Sequence, residues 1–304
     1  MQIECRENYE IKKHTSFKVG GKVNKVYFPK TQEELVFLLK NLKDYVLLGN
    51  CSNVLISSNG YNGHLILTTQ MKHFEINGTR VIADCGVKGQ LLSQKACEAS
   101  LTGFEFMIGF PGTIGGEVFM NASCHGQCIS DNLIRCCLFD KKKKEIIYKE
   151  KSEMGFEYRK SMLQDGEYIL LGAEFELKKA PQEDIKALLD RNLEFRKKVQ
   201  PSLAHPNAGS VFKNPENDSA GRLLDKAGVK EYDLENVRVW DKHANFVVNK
   251  GNATSEDVLE IMVKMFTAVK ENYKIELAPE IIFIGDKTKK EEDLCKILYQ
   301  KKQK

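Results

Sequence analysis

No stretch of this 304-residue chain is apolar for long enough to span a bilayer, and the opening MQIECRENYEIKKHTSF is polar and charged, unlike a signal peptide. A cytoplasmic protein without a membrane partner is expected. An excess of one charge is also missing. The 46 basic and 42 acidic side chains leave a net +4, far from the concentrated positive field of a nucleic-acid binder. This predicts a small-molecule partner and no nucleic acid. Paired C-x-x-C spacing is absent: the nine cysteines are odd in number and scattered, which argues against a secreted disulfide framework and for reduced thiols. The group Cys124, His125, Cys128, Cys136 and Cys137 lacks the spacing of a zinc site, so no metal is expected. The common nucleotide motifs are missing as well. No G-x-G-x-x-G follows a strand, and VGGKVN at 19–24 lacks the spacing and the Ser/Thr of a P-loop.

What is present reads as two or three domains of mixed secondary structure. Thr31 and Glu34 form a capping box ahead of Leu35, Leu38, Leu39 and Leu42, predicting a helix over 31–43. YVLLGNCSNVLIS reads as strand, tight loop, strand; HLILTT and TRVIADCG read as strands, and 88–100 as a helix ended by Gly103. LIRCCLFD and EIIYKE predict a hairpin with the solvated lysines 141–144 at its tip. Pro181 opens a long helix to about Val199. The stretch after it, with Pro201, Pro206 and Pro215, is loop and marks a boundary. Beyond it come a helix at AGRLLDKAG, a strand at ANFVVN, a helix opened by Thr254, and a strand at EIIFIG. Without regular β-α-β alternation the fold class is α+β. The expected division is an N-terminal segment 1–20, a domain 21–180, a connecting helix 181–200 and a C-terminal domain 201–304.

Two loops stand out chemically. GFPGTIGG at 109–116 concentrates glycines around Pro111, and LGNCSNVL at 48–55 supplies Asn50, Ser52 and Asn53. Backbone amides left bare by glycine are suited to a diphosphate, although each loop is also readable as a structural turn. Arg159, Ser210 and Glu280 sit in loops where polar side chains have no evident packing purpose, yet each alone is readable as solvated. His243 begins a strand and is expected to pack rather than to act as a base.

The ordered series HTSFKVGG, LGNCSNVL, GFPGTIGGEVFMNAS, EYRKS, FRKKVQP, NAGSVFKNP, AGRLLDKAG, KHANFVVN and LAPEI resembles the UDP-N-acetylenolpyruvoylglucosamine reductase (MurB) family along nearly the whole chain. GFPGTIGG and NAGSVFKNP are its most specific members. The resemblance implies an FAD-binding domain of the PCMH/VAO type, built of two subdomains, then a smaller α+β substrate-binding domain. FAD would be held by Gly49, Asn50, Cys51, Ser52 and Asn53, by Pro111, Gly112, Thr113, Ile114, Gly115 and Gly116, and by Asn121. NADPH would be the co-substrate and the enolpyruvyl ether of UDP-N-acetylglucosamine the substrate, reduced to UDP-N-acetylmuramate for peptidoglycan. Arg159, Ser210 and Glu280 would be catalytic; Tyr158, Lys213 and Asn214 would hold the nucleotide sugar.

Phe110 stands where the family usually has Ile, ASCHG at 122–126 replaces an Ala-Gly-Ala-Tyr-Gly-like stretch, and LENVRVWD at 234–241 replaces a glycine-rich one. The implied chemistry places hydride on the terminal enolpyruvyl carbon, with charge growing beside the carboxylate. Arg159 matches that carboxylate bidentately, Ser210 delivers the final proton, and Glu280 helps only when protonated or when orienting Arg159 or a water. A monomer or weak oligomer is expected. The rivals are another PCMH/VAO-type flavin oxidase or dehydrogenase, in which Cys124 or His125 would attach flavin covalently, and a non-enzymatic FAD-binding protein.

Overall fold

The computed structural model describes residues 2–202 and 204–299. The chain forms two compact units. One holds residues 2–6, 26–50 and 64–196; the other holds 7–25, 51–63 and the described residues from Lys197 onward. The sequence reads as contiguous blocks, whereas segments 7–25 and 51–63 join the later part of the chain. Phe17, Val19 and Leu55 explain this, since all three are buried in the second unit's core beside residues such as Val211 and Leu277.

In the first unit, a five-stranded antiparallel sheet runs in the order Glu145–Glu150, Leu133–Asp140, Tyr168–Glu176, Arg80–Asp84, Phe74–Asn77. Cys136 pairs with Ala173, and Ala173 with Ala83, a row of small residues over which larger ones pack. The hairpin of 133–150 forms as expected, with Lys141–Lys144 exposed at its tip. Helix Gln32–Asn41 starts where Thr31 Oγ1 accepts from Glu34 N, and it buries Leu35, Leu38 and Leu39 against Val81 and Phe175. Each such leucine contributes about 2 kcal/mol through burial. Phe104 meets Phe175 edge-on at 5.1 Å. The long helix Gln182–Val199 packs Ile185 and Leu189 on Cys97 and Ile108.

One boundary differs from expectation. Helix Gly89–Glu98 is stopped by Ser100 in the left-handed region (φ 58°), and Gly103 follows only after a short strand Leu101–Thr102. Serine tolerates that conformation at a cost, so the chain signals its stop less plainly than a glycine would.

The second unit is built from helices Ala220–Lys226, Ser255–Tyr273 and Lys289–Leu298, a hairpin of Val237–Trp240 with His243–Asn249, and a parallel pair of Ile282–Ile284 with Val54–Ile56. Thr254 caps the longest helix reciprocally with Asp257, and Val258, Ile261, Met262 and Met265 are buried. The divergent 234–241 segment thus supplies a strand, where Arg238 lies over the Trp240 ring at 5.3 Å.

Candidate functional site

The strand Tyr45–Leu48, paired in parallel with His64–Leu67, delivers Gly49 and Asn50 to the glycine-rich turn. Asn50 Nδ2 donates to the Pro111 carbonyl at 2.6 Å. A Cβ on Gly49 would fall 2.1 Å from Thr113 Oγ1, so only glycine permits the approach. Two motifs far apart in sequence are in this way closed upon each other.

The turn is narrower as a donor surface than its glycines suggest. Residues 114–119 form a short helix, and the amides of Ile114 and Gly115 donate to the carbonyls of Val87 and Cys85, both at 2.8 Å. Those two staple the turn and have no proton left for a phosphate. Other groups are available: Thr113 Oγ1, Asn121 Oδ1 and both Glu117 carboxyl oxygens are buried without a hydrogen-bond partner among the described residues. Orphaned polar atoms crowded on one segment are the mark of a place that a bound group completes. A hydroxyl, an amide and a close-fitting glycine cradle suit the diphosphate and ring edges of FAD. Glu117 suits them only when neutral. Its carboxyl lies against Gly89 and Gly112, where a Cβ would fall 2.2 and 3.0 Å from Oε1, and burial pushes its pKa up to about 8.

Gly49→Ala is therefore expected to be purified largely free of flavin, and the bulkier Gly49→Val to carry less still. Absorbance at the flavin band per mole of protein measures both. Full flavin content in the alanine variant would remove the cradle from cofactor binding.

Cys51 and Asn53, expected beside the cofactor, belong to the second unit. Cys51 takes a left-handed φ of 50°, its carbonyl accepts from Ser16 N at 3.3 Å, and burial pushes its thiol up to about 12, so it is inert. Asn53 Nδ2 donates to the Glu280 carbonyl at 3.1 Å, and its own carbonyl accepts from Ile282 N at 3.1 Å. Ser52 lies half-buried in the same loop.

Ser210 and Glu280 become neighbours by strand-like pairing. Ser210 bridges Phe246 on one side, while Glu280 N donates to Val211 O and Lys213 N to Ala278 O, both at 2.8 Å, on the other. Asn245 fixes this segment from within the core, accepting from Phe212 N at 3.0 Å and donating to Phe212 O at 2.8 Å. Gly209 turns the chain at φ 78°, and its amide donates to Asn207 Oδ1 at 3.0 Å. Lys213 is half-buried. Asn214, expected at the substrate, has a structural duty: its Oδ1 accepts from Ala220 N at 3.0 Å and starts the next helix.

Arg159 sits at the tip of a turn closed by two backbone hydrogen bonds of 3.2 Å between Glu157 and Lys160. Its φ of 55° is uncommon for a side chain of this size and costs about 1 kcal/mol or more. The turn is over-determined by neighbours. Asn121 Nδ2 donates to Glu157 O at 3.0 Å, and Gln164 Nε2 reaches both Arg159 O at 3.0 Å and Phe119 O at 2.9 Å. Arg159 Nη1 donates to Ser123 Oγ at 2.9 Å, and its guanidinium lies 5.3 Å from the exposed Tyr158 ring. The segment 119–123 and the arginine's turn are thereby tied into one mechanical piece.

His243 packs as expected, edge-on to Phe246 at 4.8 Å, with burial lowering its pKa. Sequence reading missed Asn245, Gln164 and Ser123. An amide inside the apolar run ANFVVN was a signal for the first, and the divergent ASCHG stretch one for Ser123; nothing in sequence singles out Gln164.

The chain's likenesses agree with this geometry. Residues 200–284 match the family model of the UDP-N-acetylenolpyruvoylglucosamine reductase C-terminal domain, and residues 23–142 match an FAD binding domain. The UDP-N-acetylenolpyruvoylglucosamine reductase of Caldicellulosiruptor bescii is 41% identical over 290 residues, covering 93% of this chain and 92% of that one. The protein of that name from Clostridium botulinum is 34% identical over 287 residues, covering 93% and 94%. The crystal structure of the Thermus caldophilus reductase (MurB) superposes with a TM-score of 0.80 at 32% identity, covering 93% of this chain and 99% of that one.

Proposed function

The chain belongs to the UDP-N-acetylenolpyruvoylglucosamine reductase family, and on that premise we propose how its own residues perform the reaction. The protein is an FAD-dependent oxidoreductase that uses NADPH to reduce the enolpyruvyl ether of UDP-N-acetylglucosamine to UDP-N-acetylmuramate. Bound FAD supplies the hydride chemistry between NADPH and the enolpyruvyl group. Asn50, Thr113 and Asn121 hold the cofactor in the cradle that Gly49 leaves open. The closure of that cradle at Gly49 and Thr113 is the observation that supports the reading most.

Negative charge grows on the substrate carbon beside the carboxylate as hydride reaches the terminal carbon. Arg159 is assigned to that carboxylate, since a permanent cation with a planar fork meets both oxygens, and its tight turn holds the fork in place before reaction. Ser210 is assigned the proton for the adjacent carbon. A hydroxyl is a weak acid, but the carbanion it meets is a strong base, and a fixed geometry makes transfer feasible. Glu280, set beside the Ser210 strand, is assigned an orienting role through its carboxyl, and Tyr158 and Lys213 the nucleotide sugar. We place the enzyme in the cytoplasm as a monomer or weak oligomer. No helix among the described residues is long and apolar enough to cross a membrane.

The test is direct. Purified protein should be yellow and oxidise NADPH slowly alone and rapidly with the enolpyruvyl nucleotide sugar. A colourless protein that takes up no FAD would overturn the reading.

A further inference from the structure

Arg196, near the end of the helix Gln182–Val199, is only half exposed. Its side chain lies along the first glycine of the rich turn, so that a Cβ on Gly109 would fall 3.2 Å from its Cδ. Next to it, the exposed Phe195 ring meets His125 edge-on at 5.4 Å, which fastens the 123–126 loop to this end of the helix. Arg159 reaches the same loop from the other side, through its hydrogen bond to Ser123 Oγ at 2.9 Å. Both cations are near enough to the Cys124 thiol of that loop to oppose the upward push of burial on it.

A guanidinium held against this small loop and partly buried loses hydration without gaining a counter-charge. A surface arginine would settle this by turning to water or to an acid. Arg196 is partly withdrawn from water, which lowers its pKa, and among the described residues it has no hydrogen bond or ion pair. The arrangement lacks an anion. Planar forks converging from two elements match the two oxygens of a carboxylate, each charge-assisted hydrogen bond being about twice as strong as a neutral one.

We propose that Arg196 is a second substrate-binding cation of this enzyme, sharing with Arg159 the carboxylate of the enolpyruvyl group. This rests on the reading of the substrate given above. Arg196 then holds the carboxylate on one side while Arg159 meets its other side, and the charge that develops in reaction is spread over both. The loop ASCHG, where this chain departs from its family, carries both contacts that bring the arginines together, through Ser123 and His125.

The experiment titrates the flavin-loaded enzyme with UDP-N-acetylmuramate, which carries the carboxylate, and with UDP-N-acetylglucosamine, which does not, following the flavin spectrum. Arg196→Gln should weaken binding of the acid about 10-fold or more and leave the sugar nucleotide without the carboxylate within about twofold. Arg196→Lys keeps the stem and charge without the fork and should fall between. Its melting temperature and flavin content report on folding, so it carries the test if the glutamine variant does not fold. Equal weakening of both ligands, or no weakening of the acid, overturns the proposal. A wild-type enzyme that binds neither ligand would instead sink the substrate reading itself.

Discussion

Ser210→Ala enzyme is expected to be reduced by NADPH at the wild-type rate and to be reoxidised by the enolpyruvyl substrate about 100-fold more slowly or worse, the usual worth of a positioned acid. Stopped-flow absorbance of the flavin separates the two half-reactions. The half-buried Ser210 precedes backbone groups of Val211 and Phe212 that the Glu280 amide and Asn245 hold, so removal of its hydroxyl leaves that pairing intact. The effect should fall on the chemical step and spare affinity. An unchanged reoxidation rate would take Ser210 out of proton delivery and leave the source of that proton to be found elsewhere.

Glu117→Gln should stabilise the protein in alkaline solution and have little effect in acid. The carboxyl is fully enclosed against Gly89 and Gly112, with no charged group among the causes of its shift, so its pKa rises from the ordinary 4.5 to about 8 by burial alone. A folded value above the unfolded one means that stability is complete below about pH 4.5 and declines as pH climbs towards 8. At about 1.4 kcal/mol per unit the loss reaches roughly 5 kcal/mol once the pH passes 8. Glutamine copies the neutral acid without being able to ionise. Thermal melts should therefore coincide within about 2–3 °C near pH 5 and diverge by on the order of 10 °C near pH 8.5, the variant being the more stable. Parallel curves across the range would show that Glu117 finds a partner in solution.

Legibility in the sequence followed distance along the chain. Thr31 and the leucines after it, Thr254 with Asp257, and the lysine-tipped hairpin are set by neighbours within a turn or two, so periodicity and capping exposed them. The glycine loops and the polar trio stood out through the family resemblance. What stayed hidden depends on partners brought near only by folding. Gln164 reads as an ordinary surface residue until its amide is seen spanning Phe119 and Arg159. Glu117 reads as a charged letter in a glycine motif, on a six-residue helix too short to show a period, and is in fact buried. Ile114 and Gly115 looked like free donors because nothing local shows that Val87 and Cys85 take their protons.

The parallel pairing of Val54–Ile56 with Ile282–Ile284 also bears on how the molecule is made. During synthesis the earlier strand leaves the ribosome with its edge bare and must wait for almost the entire remaining polypeptide before its mate arrives. Such distant closure is slow, and it exposes a sticky ribbon meanwhile. A fragment beginning at Lys197 would lack Phe17, Val19 and Leu55 from its interior. The later half is thus no autonomous module to be grafted or expressed by itself.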